Sequence, residues 1–271
     1  MTEKADVIKP PKSPPASAAT GSARGDAVAM GVVIAVLVFA MEVASWYVPP
    51  YIMPSPVVIF RSFYIEVTGE IGQIGITLAR LFVALGSAML IGVTMGVLMG
   101  TSNRLRPYLR SLVVIDTGIP ALSWMLVAVF WFKEPEIRIF FILTVILIPF
   151  YAMNVYEGIR AVPKEWLDML ESFRPTRWQT MRYLIIPQIV PYILLTTKST
   201  IGYATRMVIF AELIASAVGI GARMGLAQST FRMDQVMAWT FFLVIFNLFA
   251  QGMVGLAERW LLRWRPEANV R

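Results

Sequence analysis

The chain contains no cysteine and no histidine among its 271 residues. The first absence removes disulfides, iron–sulfur ligation and thiolate chemistry; the second removes the commonest general base and metal ligand. Charge is also scarce. Only 15% of residues are charged and 57% are hydrophobic, against roughly 25% and 45–50% in an ordinary soluble domain. So few charges cannot coat a soluble globule of this size, but they can cap helices whose sides face lipid. No Gly-x-x-x-x-Gly-Lys-[Ser/Thr] run occurs, so there is no phosphate-cradling loop of that type. The net charge of +7 admits nucleic acid as a partner. In a chain with mean hydropathy +0.66 it is better read as basic loops beside anionic lipid, and no nucleic-acid partner is expected.

What is present is a series of long apolar runs. A helix needs about 20 mostly apolar residues to cross the hydrocarbon. Val28–Val48, Ile76–Met99, Leu112–Phe132, Ile137–Tyr156, Ile186–Ile214 and Val236–Leu256 meet that requirement. None shows the period-two alternation of a barrel strand. The expected fold class is an all-α membrane protein of about six transmembrane helices. Residues 1–26 are polar and rich in Pro, Ala and Ser, which predicts a disordered tail. The first apolar run is too long for a cleaved signal peptide. Residues 27–260 read as one transmembrane domain and 261–271 as a second tail.

The basic residues set an orientation. With the N-terminus placed in the cytoplasm and six spans threaded, 16 of the 24 Lys and Arg fall on the cytoplasmic side. Five fall on the other side, and Arg80, Lys198 and Arg206 lie within spans. This matches the positive-inside rule and predicts a multi-pass protein with both termini cytoplasmic.

Between the first two spans, prolines at 49, 50, 54 and 56 stop the first helix. Val57, Val58, Phe60, Phe63 and Tyr64 then recur near helical spacing. They fit either an amphipathic helix on the membrane surface or an ordinary packed loop helix. Gly92, Gly96 and Gly100 form a small-residue stripe, a helix-packing signal whose partner is a helix of this chain or of a second copy.

Residues 157–187 form a long charged loop on the cytoplasmic side. Pro163 and Glu165 open a first short helix, and Trp166, Leu167, Leu170 and Phe173 give it an apolar stripe. Pro175 ends it by disfavouring helical geometry at Arg174. Thr176 to Tyr183 forms a second helix running toward Ile186-Pro187. Such a hairpin suits docking into a groove of a soluble partner, or packing onto its own bundle.

This loop resembles the coupling loop of permease subunits of bacterial binding-protein-dependent ABC importers. That motif reads Glu-Ala-Ala, three residues, Gly, nine residues, Ile, one residue, Leu-Pro. Here Asp168-Met169-Leu170, Arg174, Leu184 and Ile186-Pro187 stand at its positions, with Asp for Glu, Met-Leu for Ala-Ala and Arg for Gly. Further pieces are similar to the nitrate/sulfonate/taurine branch: Ile52-Met53-Pro54-Ser55-Pro56, Thr77-Leu78-Ala79-Arg80, Ile119-Pro120-Ala121-Leu122-Ser123-Trp124, Arg177-Trp178-Gln179-Thr180, and Ala211-Glu212 with Gly219-Ile220-Gly221.

The resemblance implies a type I ABC importer permease fold and a non-enzymatic subunit in a bacterial inner membrane. It implies a second permease copy, a cytoplasmic ABC ATPase that holds ATP and Mg, and an extracytoplasmic substrate-binding protein. No cofactor is expected on this chain itself. The ATPase-coupling residues are then Pro163, Glu165, Trp166, Asp168, Met169, Leu170, Ser172, Phe173, Arg174, Pro175, Thr176 and Arg177. Charges at membrane depth tend to face a cavity or a partner, so Lys198, Arg206 and Glu212, with Tyr203 beside them, are candidates for the translocation path. Arg206 favours a small anionic organic solute. Glu212 lies six residues after Arg206, on another face of the helix, so its partner is expected on a different span. Met207, Met224 and Met233 read as packing. The alternative is a stand-alone secondary transporter or channel, which would need coupling-ion groups inside the spans. A membrane enzyme would need a catalytic constellation that is absent from the sequence.

Overall fold

A computed structural model describes residues 23–263, which are helical with short connections. The elements are α1 (Ala23–Tyr47), α2 (Pro56–Gly69), α3 (Ile71–Thr101), α4 (Arg106–Gly118), α5 (Ala121–Trp131), α6 (Pro135–Arg160), α7 (Lys164–Ser172), α8 (Arg177–Thr180), α9 (Ile186–Ala215), α10 (Ile220–Ser229) and α11 (Met233–Leu261). The tails expected at 1–26 and 261–271 fall almost wholly outside the described residues. Within them, α1 already begins at Ala23 and α11 runs on through Leu261.

Five helices are long and apolar enough to cross a membrane, and the bent pair α4–α5 makes a sixth crossing. The expected uninterrupted span Leu112–Phe132 is corrected here. It is broken after Gly118, with a 95° bend between its halves. Pro120 has no amide to continue the helical ladder and drives Ile119 to an extended conformation, ψ 123°. The pair nevertheless passes from one end of the molecule to the other. Arg106, at the start of α4, donates to the Met99 carbonyl at the end of α3 (2.9 Å). Phe132, after α5, accepts from Arg138 at the start of α6 (2.6 Å).

The largest interface joins α3 to α6. Successive contacts advance together, Gly92 against Ile148 and Tyr151, Gly96 against Ala152 and Val155, Gly100 against Ile159, so the two helices run parallel. A β-carbon at Gly92 would lie 2.8 Å from the Ile148 carbonyl oxygen, and one at Gly96 would lie 2.7 Å from that of Ala152. Backbones this close leave no room for a side chain, and the glycine stripe thus faces a helix of its own chain. In lipid the hydrophobic effect does not drive helices together; close packing does. Helix α9 lies antiparallel to α6, pairing Tyr151 with Thr197 and Arg138 with Ala215. Leu81, Leu85, Leu143, Leu147, Tyr151 and Val208 form the centre of the core.

Helix α2 packs on α11, with Phe60 and Phe63 edge-on to Phe241 and Ser62 donating to Asp234 (2.6 Å). One face of the helix is packed in this way, while Val57, Val58, Phe60 and Tyr64 stay exposed, so both sequence readings of this segment stand. Helix α1 lies against α2 and leaves Val32, Val36 and Phe39 exposed, as a lipid-facing helix should.

Candidate functional site

The charged loop forms a helical hairpin at the end of the molecule where α3 and α6 terminate. Pro163 caps α7 in an extended conformation, φ −60° and ψ 140°, and Glu165 lies in the first turn. No residue of α7 is buried. Trp166, Met169 and Phe173 are 51%, 61% and 78% exposed, while the Ser172 hydroxyl donates to the backbone carbonyl of Asp168 (3.0 Å) one turn back. Of the apolar stripe only Leu170 is partly covered. The hairpin therefore presents aromatic and aliphatic groups that its own bundle does not bury.

Arg174 ends α7 with φ +47°, its amide donating to the Glu171 carbonyl (2.9 Å). This is the position at which the resembled motif carries Gly, and the backbone does adopt the left-handed region that glycine favours. Pro175 and Thr176 follow. Thr176 caps α8 through a reciprocal pair: its hydroxyl accepts from the Gln179 amide (3.3 Å), and the Gln179 side chain accepts from the Thr176 amide (2.7 Å). The signal for Gln179 is legible as Thr-x-x-Gln. Arg177 opens α8.

The second helix was expected to stop before Ile186-Pro187, and here the structure corrects the sequence reading. Met181–Ile185 is a π-helical turn, with the Ile186 amide bonded five residues back to Met181. The chain then continues without a break into α9. The widened turn absorbs one residue and lets Pro187, which has no amide to donate, sit in the first turn of α9. Residues 177–215 thus form one continuous helical stretch long enough to cross a membrane. A cleft of about 880 Å³ separates the hairpin from the α3–α4 corner, bordered by Ser102, Arg104, Arg160, Leu167, Arg177 and Leu184.

The expected path residues do not form one group. Lys198 pairs with Glu258 of α11 at 3.4 Å. Tyr203 packs its ring on Phe150, centroids 5.4 Å apart. Arg206 is exposed, and its guanidinium reaches only the Gly202 carbonyl one turn back (3.1 Å); no carboxylate pairs with it among the described residues. Glu212 is fully buried inside the protomer, so it lines no open path in this structure.

Glu212 instead anchors a polar cluster at the end opposite the hairpin. It accepts from the Thr77 hydroxyl (2.8 Å), from Arg80 Nη1 (2.8 Å) and from the Gly221 amide (2.9 Å). Arg80 also donates to the Val218 carbonyl (2.9 Å) and to both carboxylate oxygens of Glu136. Gly219 adopts φ +109°, and a β-carbon there would fall 2.3 Å from Glu212 Oε1. The cluster ties α3, α6, α9 and the start of α10 together. The sequence places Arg80 within a span but does not connect it to Glu212. The available signal was the rule that an intramembrane charge has a partner. Among the described residues no group of acidic side chains could hold a metal ion.

The model of the family described as binding-protein-dependent transport system inner membrane component matches residues 88–263. A putative aliphatic sulfonates transport permease of Bacillus subtilis (strain 168) is 28% identical over 79% of this chain and 78% of its own length. The taurine transport system permease of Escherichia coli (strain K12) is 27% identical over 71% and 70%. The riboflavin transport system permease of Chloroflexus aurantiacus (strain ATCC 29366 / DSM 635 / J-10-fl) is 26% identical over 80% and 81%. Among solved structures, a bacterial ABC transporter that imports the acidic polysaccharide alginate aligns with a TM-score of 0.64 at 16% identity, over 74% of this chain and 83% of that one. An amino acid ABC transporter aligns with a TM-score of 0.61 at 20% identity, over 70% and 92%. These two establish the fold, and the family match over most of the chain establishes the rest: the protein belongs to the binding-protein-dependent transport system inner membrane components and is a permease subunit of an ABC importer.

Proposed function

We propose that two copies of this chain form the translocation path of an importer in a bacterial cytoplasmic membrane, with both termini in the cytoplasm. Each copy docks α7 and α8 on a separate ATPase, which holds the ATP and Mg. An extracytoplasmic binding protein delivers the solute at the end where Arg80 and Glu212 lie. The observation that carries this reading is the uncovered apolar face of α7 around Trp166, at the end of the molecule where the basic loops gather. An amphipathic helix of this kind is suited to a groove, and the continuous helix from α8 into α9 supplies a rigid link to the membrane interior.

The solute is a small organic anion. Arg206 supports this: it lies in a span, exposed and without a carboxylate partner among the described residues. Relatives named for sulfonates, taurine, bicarbonate and nitrate support the acidic character of the solute, and the first two support its being organic.

The absence of cysteine makes the test direct. In Trp166→Cys the only thiol of the chain sits on the docking face. Co-expressed with the importer's ATPase carrying a cysteine in its groove, it should form a crosslink whose yield changes when ATP binds. A Val57→Cys control at the opposite end should form none. Equal crosslinking at both positions would remove the docking assignment. Arg206→Ala, assembled normally, should lower uptake of the anion; unchanged uptake would remove Arg206 from the path.

A further inference from the structure

The cleft between the hairpin and the α3–α4 corner gathers positive charge that the fold leaves unanswered. Arg104, Arg160 and Arg177 line it from three separate places: the turn after α3, the end of α6 and the start of α8. No aspartate or glutamate lines it, and among the described residues no carboxylate pairs with any of the three. Guanidiniums brought to one space repel each other. The carbonyls that end α3 do not offset them, because Arg106 already donates to those of Met99 (2.9 Å) and Gly100 (3.4 Å). Arg160 is held in place over the ring of the buried Tyr156, 5.8 Å from its centre.

Beneath this basic rim the floor is apolar, formed by Ile159, Val162, Leu184 and Ile185. A water-soluble anion gains nothing from such a floor; an amphiphile uses both rim and floor. The depth matches. The spans Ile71–Thr101 and Pro135–Arg160 end at the cleft, and the stretch Arg177–Ala215 begins there, so it lies where hydrocarbon gives way to headgroups. Its volume of about 880 Å³ falls within the usual range for small-molecule sites, roughly 300–1,000 Å³.

We propose that this cleft binds the headgroup of an anionic phospholipid, with the phosphate among Arg104, Arg160 and Arg177 and the first acyl carbons on the apolar floor. Arginine suits phosphate because its planar fork donates two parallel hydrogen bonds, and basic pockets between membrane helices hold acidic headgroups in this way. A lipid seated there joins the hairpin, through Arg177, to α6 and to the α3–α4 corner. Trp166, Met169 and Phe173 do not line the cleft, so lipid and ATPase use different faces of the hairpin. The choice of the cytoplasmic leaflet rests on the orientation proposed above; binding itself does not.

The test uses the full-length chain in neutral detergent, stripped of lipid and without ATP or any partner, so a failure of the ATPase assignment leaves its result unchanged. Dioleoylphosphatidylglycerol and dioleoylphosphatidylcholine are titrated in, and bound lipid is counted by native mass spectrometry. The anionic lipid should fill a single site about a hundred-fold more tightly than the zwitterionic one. Arg104→Gln, Arg160→Gln and Arg177→Gln should each weaken it by about five-fold, and the triple variant should erase the preference. If the triple variant does not fold, the single variants decide. Arg110→Gln, Arg182→Gln and Arg259→Gln together remove exposed arginines that do not line the cleft and should leave the preference intact, which separates a site from the general attraction of a basic surface. Excess inorganic phosphate should not displace the lipid. Hydrogen exchange over residues 164–180 should slow with phosphatidylglycerol and not with phosphatidylcholine. No preference between the lipids, a preference that survives the cleft substitutions, an equal loss in the control set, displacement by inorganic phosphate, or unchanged exchange in the hairpin would overturn the proposal.

Discussion

The two ends of the molecule are built on opposite terms. At one end Glu212, Arg80 and Thr77 are buried and satisfied by neighbouring helices and a backbone amide, with the exposed Glu136 pairing Arg80 from the rim. At the other, Trp166, Met169 and Phe173 expose apolar surface that none of the described residues covers. Buried ion pairs hold a structure only when every partner is present, so the first end behaves as a fixed clamp. Uncovered aromatic surface on a nine-residue helix is the kind of face that a partner covers, and under the proposed function the second end is the handle. Between them run α6 and α9, packed by small-residue and aromatic contacts along the membrane.

The largest effect should come from breaking the clamp. Glu212→Ala leaves Arg80 paired only with Glu136 and strands the Thr77 hydroxyl and the Gly221 amide; a loss of about 3–5 kcal/mol is expected. Thermal unfolding in detergent measures it, and a change below about 1 kcal/mol would mean that the cluster is not structural. Trp166→Ala should do the reverse. Stability should shift by no more than about 0.5 kcal/mol, because the indole contacts little of its own chain. ATPase affinity should fall by about 2 kcal/mol, the cost of losing an aromatic anchor, as read by co-purification titration. Equal losses in both assays would erase the contrast between the ends. The smallest effect is a sharpening one. Arg174→Gly relieves a non-glycine residue at φ +47° and should stabilise the hairpin by up to about 1 kcal/mol. Hydrogen exchange over residues 164–180 should slow while the clamp remains unchanged.

Much of this was legible before any coordinates. Six crossings follow from the lengths of the apolar runs, because lipid forces every spanning backbone into self-satisfied helices. The hairpin at 163–183 follows from Pro163, Pro175 and the stripe of Trp166, Leu170 and Phe173, which are local signals. The glycine stripe announced a close helix contact but not its partner. The bend at Pro120 was missed because the run Leu112–Phe132 is uniformly apolar, and hydropathy does not register a change of direction. Likewise, the second hairpin helix at Thr176 to Tyr183 and the span from Ile186 are continuous, because a π-helical turn at Met181–Ile185 joins them.

Composition and periodicity, then, determined by themselves that the chain lives in a membrane, how many times it crosses, and where its charged hairpin lies. These depend on solvent and on nearest neighbours along the chain, which a linear text records. Only the tertiary structure decided that Glu212 meets Arg80 across 132 positions, that the glycines face α6, and that Arg104, Arg160 and Arg177 line one cleft. Each of those pairings is a choice among many partners of similar chemistry, and it is made by the direction in which parallel and antiparallel helices bring their side chains to the same depth.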